Sequence, residues 1–194
     1  MNINMTLYDF LRAGHVKRWH IVNVVRDQTM ADHGYMVALI ALNLFDQQVG
    51  VRDDLEGTLR LLLAALFHDS TEIRTGDLPT PGKNLIREFV GDPEFFDKLE
   101  FEIMPEIPYL KGHISAALEM FVKMADAIEA AHFIRENGAG RHAEIVAGGC
   151  WRRVEDLTAK YTELTGVDWY EAVNKVLSAL GMPQLYKEAR ISPP

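Results

Sequence analysis

Apolar residues recur with helical spacing along nearly the whole chain. Residues 35–45 are apolar on almost every side, which predicts a helix buried in the middle of a domain. Thr29 and Asp32 form a capping pattern that predicts the start of this helix near Met30. Residues 55–68 repeat the apolar pattern and predict a second buried helix.

Further helical patterns follow in the second half of the chain. They predict helices at 93–104, 114–136, 141–164 and 169–180. Asn137 and Gly138 end the second of these, and Asp168 is a suitable N-cap for the last. Thr75–Asn84 contains two prolines and two glycines and predicts a loop. No stretch of four or more residues alternates with period two, so the fold class is all-α, a compact helical bundle with few strands or none.

The composition fits one well-packed domain over residues 1–194. Of the 194 residues, 48% are hydrophobic and 25% charged, which excludes disorder as the main state. The apolar run Leu61–Phe67 is far below the roughly 20 residues that a helix needs to cross a bilayer, and no secretory signal is visible. Cys150 is the only cysteine, which excludes an intrachain disulfide and fits a reducing cytoplasm.

The charge balance limits the partners. Twenty basic and 28 acidic residues give a net charge of −8. Coating DNA or RNA requires clustered lysine and arginine, so this balance argues against a nucleic-acid polymer as partner. A single nucleotide in a locally basic pocket remains compatible with it.

Four polar residues in apolar surroundings are candidates for chemistry. His68 and Asp69 end a buried helix, where both are costly to bury unless something satisfies them. His33 lies in the first turn of the 30–45 helix, and Asp126 lies among apolar residues of a later helix. Each alone is more often a satisfied core histidine, a cap or an ion-pair partner. Together, two imidazoles and two carboxylates suit Zn, Co, Mn or Fe.

The order of these four residues resembles the H…HD…D motif of the HD-domain phosphohydrolases, an all-α metal-dependent family. Residues 18–33, RWHIVNVVRDQTMADH, and 68–83, HDSTEIRTGDLPTPGK, resemble the YfbR-like 5′-deoxynucleotidases. This resemblance covers roughly residues 7–136. The chain also resembles the small bacteriophage dATP triphosphohydrolases of the DatZ type, since only 57 residues separate Asp69 from Asp126. The resemblance implies a homo-oligomer, dimeric or hexameric.

Two further carboxylates receive catalytic roles from this resemblance. Glu72 lies three residues after Asp69, on the same side if the helix persists, and would act as general acid/base or position water. Asp77, in the proline-containing loop, would orient water or substrate. The plainer alternatives are a solvated glutamate and a turn-forming aspartate.

Substrate contacts are also implied by the resemblance. Arg18 would grip a phosphate, and Trp19 would crowd the 2′ position of the sugar, so that deoxyribose is preferred. Lys83 and Lys123 would neutralise a triphosphate tail. Each residue alone would normally be a surface charge or a core aromatic.

The resemblance implies that Ile21 and Pro79 lie against the purine edge, so that adenine fits and a base with an extra 2-amino group does not. The implied reaction is metal-dependent hydrolysis of dATP to deoxyadenosine and triphosphate, which depletes dATP in a phage that uses 2-aminoadenine. The alternatives are a 5′-deoxynucleotidase acting on monophosphates and an inactive HD-fold nucleotide-binding module. The region after Gly138 matches no motif, and its helices, to about residue 190, would complete the bundle or an oligomer contact.

Overall fold

All regular structure in the described part of the chain is helical. The structure, a computed structural model, describes residues 5–103 and 114–187. Its α-helices are α1 Leu7–Phe10, α2 Met30–Gln48, α3 Leu55–Phe67, α4 Glu72–Thr75, α5 Thr80–Val90, α6 Phe95–Ile103, α7 Ala116–Asn137, α8 Gly140–Thr165 and α9 Trp169–Ala179. A 3₁₀ turn covers Leu11–His15. Extended pairing in these residues is limited to isolated bridges, so the all-α prediction is confirmed. The predicted domain 1–194 and its C-terminal part to about 190 extend beyond the described residues.

Capping side chains begin the long helices where the sequence predicts. The Thr29 hydroxyl accepts a hydrogen bond from the backbone N–H of Asp32, and the Asp32 carboxylate accepts one from Thr29, which completes a capping box. The Asp168 side chain accepts from the N–H of Tyr170 at the start of α9. Ser115 caps α7 in the same way. These caps satisfy N–H groups that have no partner inside the helix.

The loop predicted over Thr75–Asn84 is wrong in its second half. Helix α5 begins at Thr80, and only Gly76–Pro79 is irregular. Pro81 lies in the first turn of α5, where its missing N–H would have had no helical partner. A proline there starts a helix as readily as it makes a loop. Helix α1 was not predicted from the sequence.

The core lies where α2, α3 and α7 pack together, with α8 and α9 covering them. Fully buried apolar residues come from each of these elements: Val37, Leu44, Leu61, Met124, Ile128, Val154 and Leu177. A candidate site residue lies on, or directly after, each of the three inner helices. His33 lies in the first turn of α2, His68 directly follows α3, and Asp126 lies in the middle of α7. None of the helices among the described residues combines the length and apolarity needed to span a membrane.

Leu44→Ala should lower the free energy of unfolding by about 2–5 kcal/mol, because it leaves a cavity in the centre of the bundle. The Leu44 side chain is 0% exposed. Urea unfolding followed by circular dichroism measures the change. Leu85→Ala, on α5, is the matched control because Leu85 is 67% exposed, and it should change stability by less than about 0.5 kcal/mol. Equal losses in the two variants would contradict this description of the core.

Candidate metal centre and active site

Four predicted metal ligands converge on one point: His33, His68, Asp69 and Asp126. His33 Nε2 lies 3.2 Å from His68 Nε2 and 3.5 Å from Asp126 Oδ1. Asp69 Oδ2 lies 3.5 Å from His33 Nε2 and 3.3 Å from His68 Nε2. Ligand atoms of His33, His68 and Asp126 all lie within 4.8 Å of one another. Residues from α2, from α7 and from the turn that follows α3 thus face a common centre.

Hydrogen bonds on the outer side of each imidazole orient it toward that centre. His33 Nδ1 contacts Glu129 Oε2 at 2.6 Å, and the whole His33 residue is 0% exposed. His68 Nδ1 contacts the Ala65 carbonyl oxygen at 2.8 Å. A carbonyl oxygen only accepts, so His68 Nδ1 carries a hydrogen and donates it. Outer partners of this kind fix the tautomer and ring orientation of metal-binding histidines.

Electrostatics in the centre favour a bound cation. The carboxylates of Asp69 and Asp126 raise the pKa of His68 to about 9, although burial alone would lower it. Burial alone would raise the pKa of Asp69, yet the neighbouring imidazoles hold this pKa well below the ordinary value. Two carboxylates and two inward-facing ring nitrogens form a mixed N/O donor set that fits a divalent metal ion.

Glu72 is buried beside this centre, in the first turn of α4. Its Oε1 forms an ion pair with Lys83 Nζ. Burial is the main cause that raises the pKa of Glu72 to about 8, and the Asp69 carboxylate adds to it, while Lys83 partly opposes both. A carboxyl group in such an environment is a candidate for proton transfer.

Trp19 is held in an unusual backbone conformation. Its φ of 66° is in the left-handed region, which is uncommon for a residue with a side chain. Asp77 Oδ2 accepts a hydrogen bond from the Trp19 backbone N–H at 3.2 Å. The indole Nε1 donates to Gln28 Oε1 at 2.8 Å, and the ring stacks on Phe133 with centroids 5.7 Å apart. Asp77 therefore contacts Trp19 directly and helps to hold it.

A hydrogen-bond chain joins Trp19 to the metal ligands. Gln28 accepts from the Trp19 indole and donates through Nε2 to Glu129 Oε1 at 2.5 Å. Glu129 then contacts His33 through its other oxygen. Arg18 Nη1 lies 3.7 Å from the same carboxylate. The Arg18 atoms Nε and Nη1 are buried without a hydrogen-bond partner, so this guanidinium retains donors for an anion.

A cavity of about 330 Å³ opens on the metal ligands. It is lined by His68, Asp69 and Asp126, and by the cationic side chains of Lys123 and Arg153. Lys123 Nζ pairs with Glu119 Oε1 at 2.6 Å. A second cavity of about 240 Å³ borders His33, His68 and Asp69 as well.

The remaining predicted residues lie apart from the 330 Å³ cavity. Lys83 lines a separate cavity of about 80 Å³ together with Glu72, so Lys83 and Lys123 line different cavities. Ile21 is exposed, and half-buried Pro79 immediately precedes α5.

Three residues of the site were missed in the sequence: Gln28, Glu129 and Arg153. Glu129 had a usable signal, because it stands three residues after Asp126 in the apolar stretch 127–131 and so shares its helix face. Gln28 and Arg153 carried none. Their roles depend on contacts across 101 and 27 residues of sequence, respectively.

Several known proteins are similar to this chain in sequence or in fold. Residues 8–140 match the sequence model of a family described as 5′-deoxynucleotidase YfbR-like. A dATP triphosphohydrolase of Salmonella phage PMBT28 is 33% identical over 196 residues, covering 88% of this chain and 98% of the relative. A 5′-deoxynucleotidase of Vibrio parahaemolyticus is 31% identical over 148 residues, covering 66% of this chain and 72% of the relative.

A solved structure is also similar over nearly its full length. It is the HD phosphohydrolase DatZ of cyanophage S-2L bound to dA and one catalytic Zn²⁺ ion. The TM-score is 0.75 with 28% sequence identity, and the match covers 92% of this chain and 98% of that chain. The fold is therefore that of the HD phosphohydrolases, and the protein is a hydrolase.

Glu129→Ala should weaken Zn²⁺ binding about 10- to 100-fold, because His33 loses the partner that orients it. Competition with a chromophoric chelator measures the affinity. Glu136→Ala, at an exposed position of the same helix, is the control and should bind Zn²⁺ as the unchanged protein does. Unaltered affinity in Glu129→Ala would show that this carboxylate does not support the metal site.

The pKa of Glu72 predicts a pH dependence of stability in protein stripped of metal. The folded state keeps the Glu72 proton until about pH 8, whereas the unfolded chain loses it near the ordinary value of 4.5. The free energy of unfolding should therefore decrease as the pH rises through this window. In Glu72→Gln the decrease should be shallower, as measured by urea unfolding in EDTA from pH 5 to pH 8.5. Parallel profiles for the two proteins would refute the raised pKa.

Proposed function

The chain belongs to the YfbR-like family of 5′-deoxynucleotidases, and we propose that within this family it hydrolyses dATP to deoxyadenosine and triphosphate. The reaction depends on a divalent metal ion held by four ligands: His33, His68, Asp69 and Asp126. Glu72 serves as the acid/base group. Phage relatives named dATP triphosphohydrolases and the similarity to the cyanophage enzyme support this substrate.

The cavity on the metal ligands is the observation that carries the proposal. Its volume of about 330 Å³ lies within the range of small-molecule sites. It is lined by the carboxylates of Asp69 and Asp126 and by the cationic side chain of Lys123. A polyphosphate needs this combination, because the residues that would hold the metal ion lie in the same cavity as a cation that can meet the charge of the phosphate tail.

The bonds that change are the same for any 5′-nucleotide. Water adds to the α-phosphorus, the bond between that phosphorus and O5′ breaks, and O5′ takes a proton to become the deoxynucleoside hydroxyl. A divalent ion supplies Lewis-acid polarisation of a phosphoryl oxygen and lowers the pKa of water. Glu72 accepts the proton from the attacking water, and Lys83 holds its carboxylate in place. A divalent ion held by the four ligands would favour the ionised form of Glu72, since positive charge stabilises a carboxylate.

Arg18 and Trp19 form the nucleotide side of the site. The Arg18 nitrogens Nε and Nη1, which make no hydrogen bond within the protein, donate to the α-phosphate, and the Trp19 ring lies against the sugar, where it leaves no room for a 2′-hydroxyl. Asp77 keeps Trp19 in this position through the backbone hydrogen bond. Ile21 and Pro79 contact the purine edge and disfavour a 2-amino group.

The lysines divide between two tasks in this proposal. Lys123 faces the cavity on the metal ligands and binds the phosphate tail. Lys83 is held by Glu72, so a phosphate must compete with that carboxylate for it. The main role of Lys83 is therefore to hold the acid/base group, and its contact with the substrate is the lesser role.

A 5′-deoxynucleotidase is the second candidate, favoured by the family description and by the Vibrio relative. Arg18 and the metal ligands suffice for one phosphate. The two activities break the same bond and differ in what lies beyond the α-phosphate. Release of triphosphate would identify the first, and release of orthophosphate from dAMP the second.

Three finer points belong to the proposal. Zn²⁺, Co²⁺ and Mn²⁺ all suit the donor set, and Zn²⁺ is the ion in the cyanophage structure. In a phage that uses 2-aminoadenine the activity would remove dATP. The chain forms a homo-oligomer, dimer or hexamer, which the exposed apolar stripe Leu55, Leu59 and Leu66 on α3 supports and light scattering would measure.

Incubation of each dNTP and dNMP with Zn²⁺, Co²⁺ or Mn²⁺, followed by ion chromatography, tests the function. We expect triphosphate and deoxyadenosine from dATP. Glu72→Ala should bind Zn²⁺ and dATP normally but turn over at least ~100-fold more slowly, the scale of a lost acid/base group. Glu88→Ala, at an exposed position of α5, is the control. Preference for dAMP would support the nucleotidase, and normal turnover in Glu72→Ala would exclude the proposed mechanism.

A further inference from the structure

Arg153 is a cationic side chain at the metal centre that no sequence motif identifies. It extends from α8, and its Nη2 lies 3.0 Å from Asp126 Oδ2. It also lines the 330 Å³ cavity together with Lys123, and its side chain is 51% exposed. We propose that Arg153 binds the β- and γ-phosphates of the substrate and thereby sets the preference for triphosphates over monophosphates. This inference rests on the proposed function.

The position of Asp126 places Arg153 next to the reacting phosphate. Asp126 Oδ1 faces His33 Nε2 at 3.5 Å, while the other oxygen faces Arg153. One carboxylate therefore separates the guanidinium from the centre where the metal ligands meet. A guanidinium has five N–H donors in a fixed planar fork, so it can serve a carboxylate on one edge and a phosphate on the other.

Charge balance in the cavity makes Arg153 important. A divalent ion would neutralise the carboxylates of Asp69 and Asp126. The charge of Lys123 is matched by that of Glu119, its partner at 2.6 Å. Among the described residues that line this cavity, Arg153 therefore makes the net charge positive. A half-exposed ion pair with Asp126 contributes little to stability, whereas a polyphosphate tail needs the charge.

The location of Arg153 along the chain fits a role in distinguishing substrates. The family match ends at residue 140, before most of α8. The metal ligands, Glu72 and Arg18 all lie inside the matched part, and they suffice to cleave the α-phosphate bond. Beyond residue 140, α8 brings a cation to the same cavity, where the part of the substrate beyond the α-phosphate would lie.

Three variants test the inference in the Zn²⁺-loaded protein: Arg153→Ala, Arg153→Lys and, as matched control, Arg152→Ala at the exposed neighbouring position. Calorimetry measures binding of inorganic triphosphate and of orthophosphate, and steady-state assays give KM and kcat for dATP and dAMP. Arg153→Ala should weaken triphosphate binding and raise KM for dATP about tenfold, at the lower end for a charge-assisted contact because the side chain is half exposed. Orthophosphate binding and the constants for dAMP should change less than about twofold.

Arg153→Lys should recover part of the triphosphate affinity, since the charge remains but the planar fork is lost. Arg152→Ala should match the unchanged protein. Zn²⁺ content and melting temperature are measured for every variant. Equal losses for dATP and dAMP, or a loss of Zn²⁺, would show that Arg153 acts through Asp126 instead and would overturn the inference.

Unchanged triphosphate binding in Arg153→Ala would overturn the inference too, whatever the turnover. The proposed function fails separately, when the unchanged protein releases no triphosphate from dATP. Binding of inorganic triphosphate is measured by calorimetry and does not require turnover. The two failures are therefore distinguishable.

Discussion

The contact between the His33 imidazole and the Glu129 carboxylate organises the centre of this molecule. A carboxyl group inside a helical bundle is costly unless its oxygens are satisfied, and here Gln28, His33 and Arg18 all lie against the carboxyl group of Glu129. The contact joins the first turn of α2 to the middle of α7. It requires these helices to approach in one register, and that register brings Asp126 to the same imidazole from the other side.

The acidic and the basic side chains around this contact occupy different places. Carboxylates and inward-facing ring nitrogens form the centre, and basic side chains lie outside it on different elements. Arg153 and Lys123 face the cavity, Lys83 holds Glu72, and Arg18 lies beside Glu129. An acidic protein can bind an anionic substrate in this way, because the local arrangement of charge matters more at close range than the net charge of −8.

The sequence singled out the candidate metal ligands because polar side chains stand out in apolar surroundings. His33 and Asp126 lie in helices of the core and His68 directly follows one, and such positions are visible without a fold. The starts of α2 and α9 were also predictable, since their capping residues act on backbone groups three residues away or fewer. The loop over Thr75–Asn84 was wrong in its second half because a proline is compatible with a turn and with the first turn of a helix.

By itself the sequence determined the helical class, the positions of most helices, and the side chains able to hold a metal ion. These properties follow from periodicity and residue type, which are local along the chain. Tertiary structure alone decided that Lys83 meets Glu72, that Asp77 holds the Trp19 backbone, and that Arg153 reaches Asp126. Such pairings join residues 11, 58 and 27 positions apart, and no local pattern fixes the packing angle and register of the helices that bring them together.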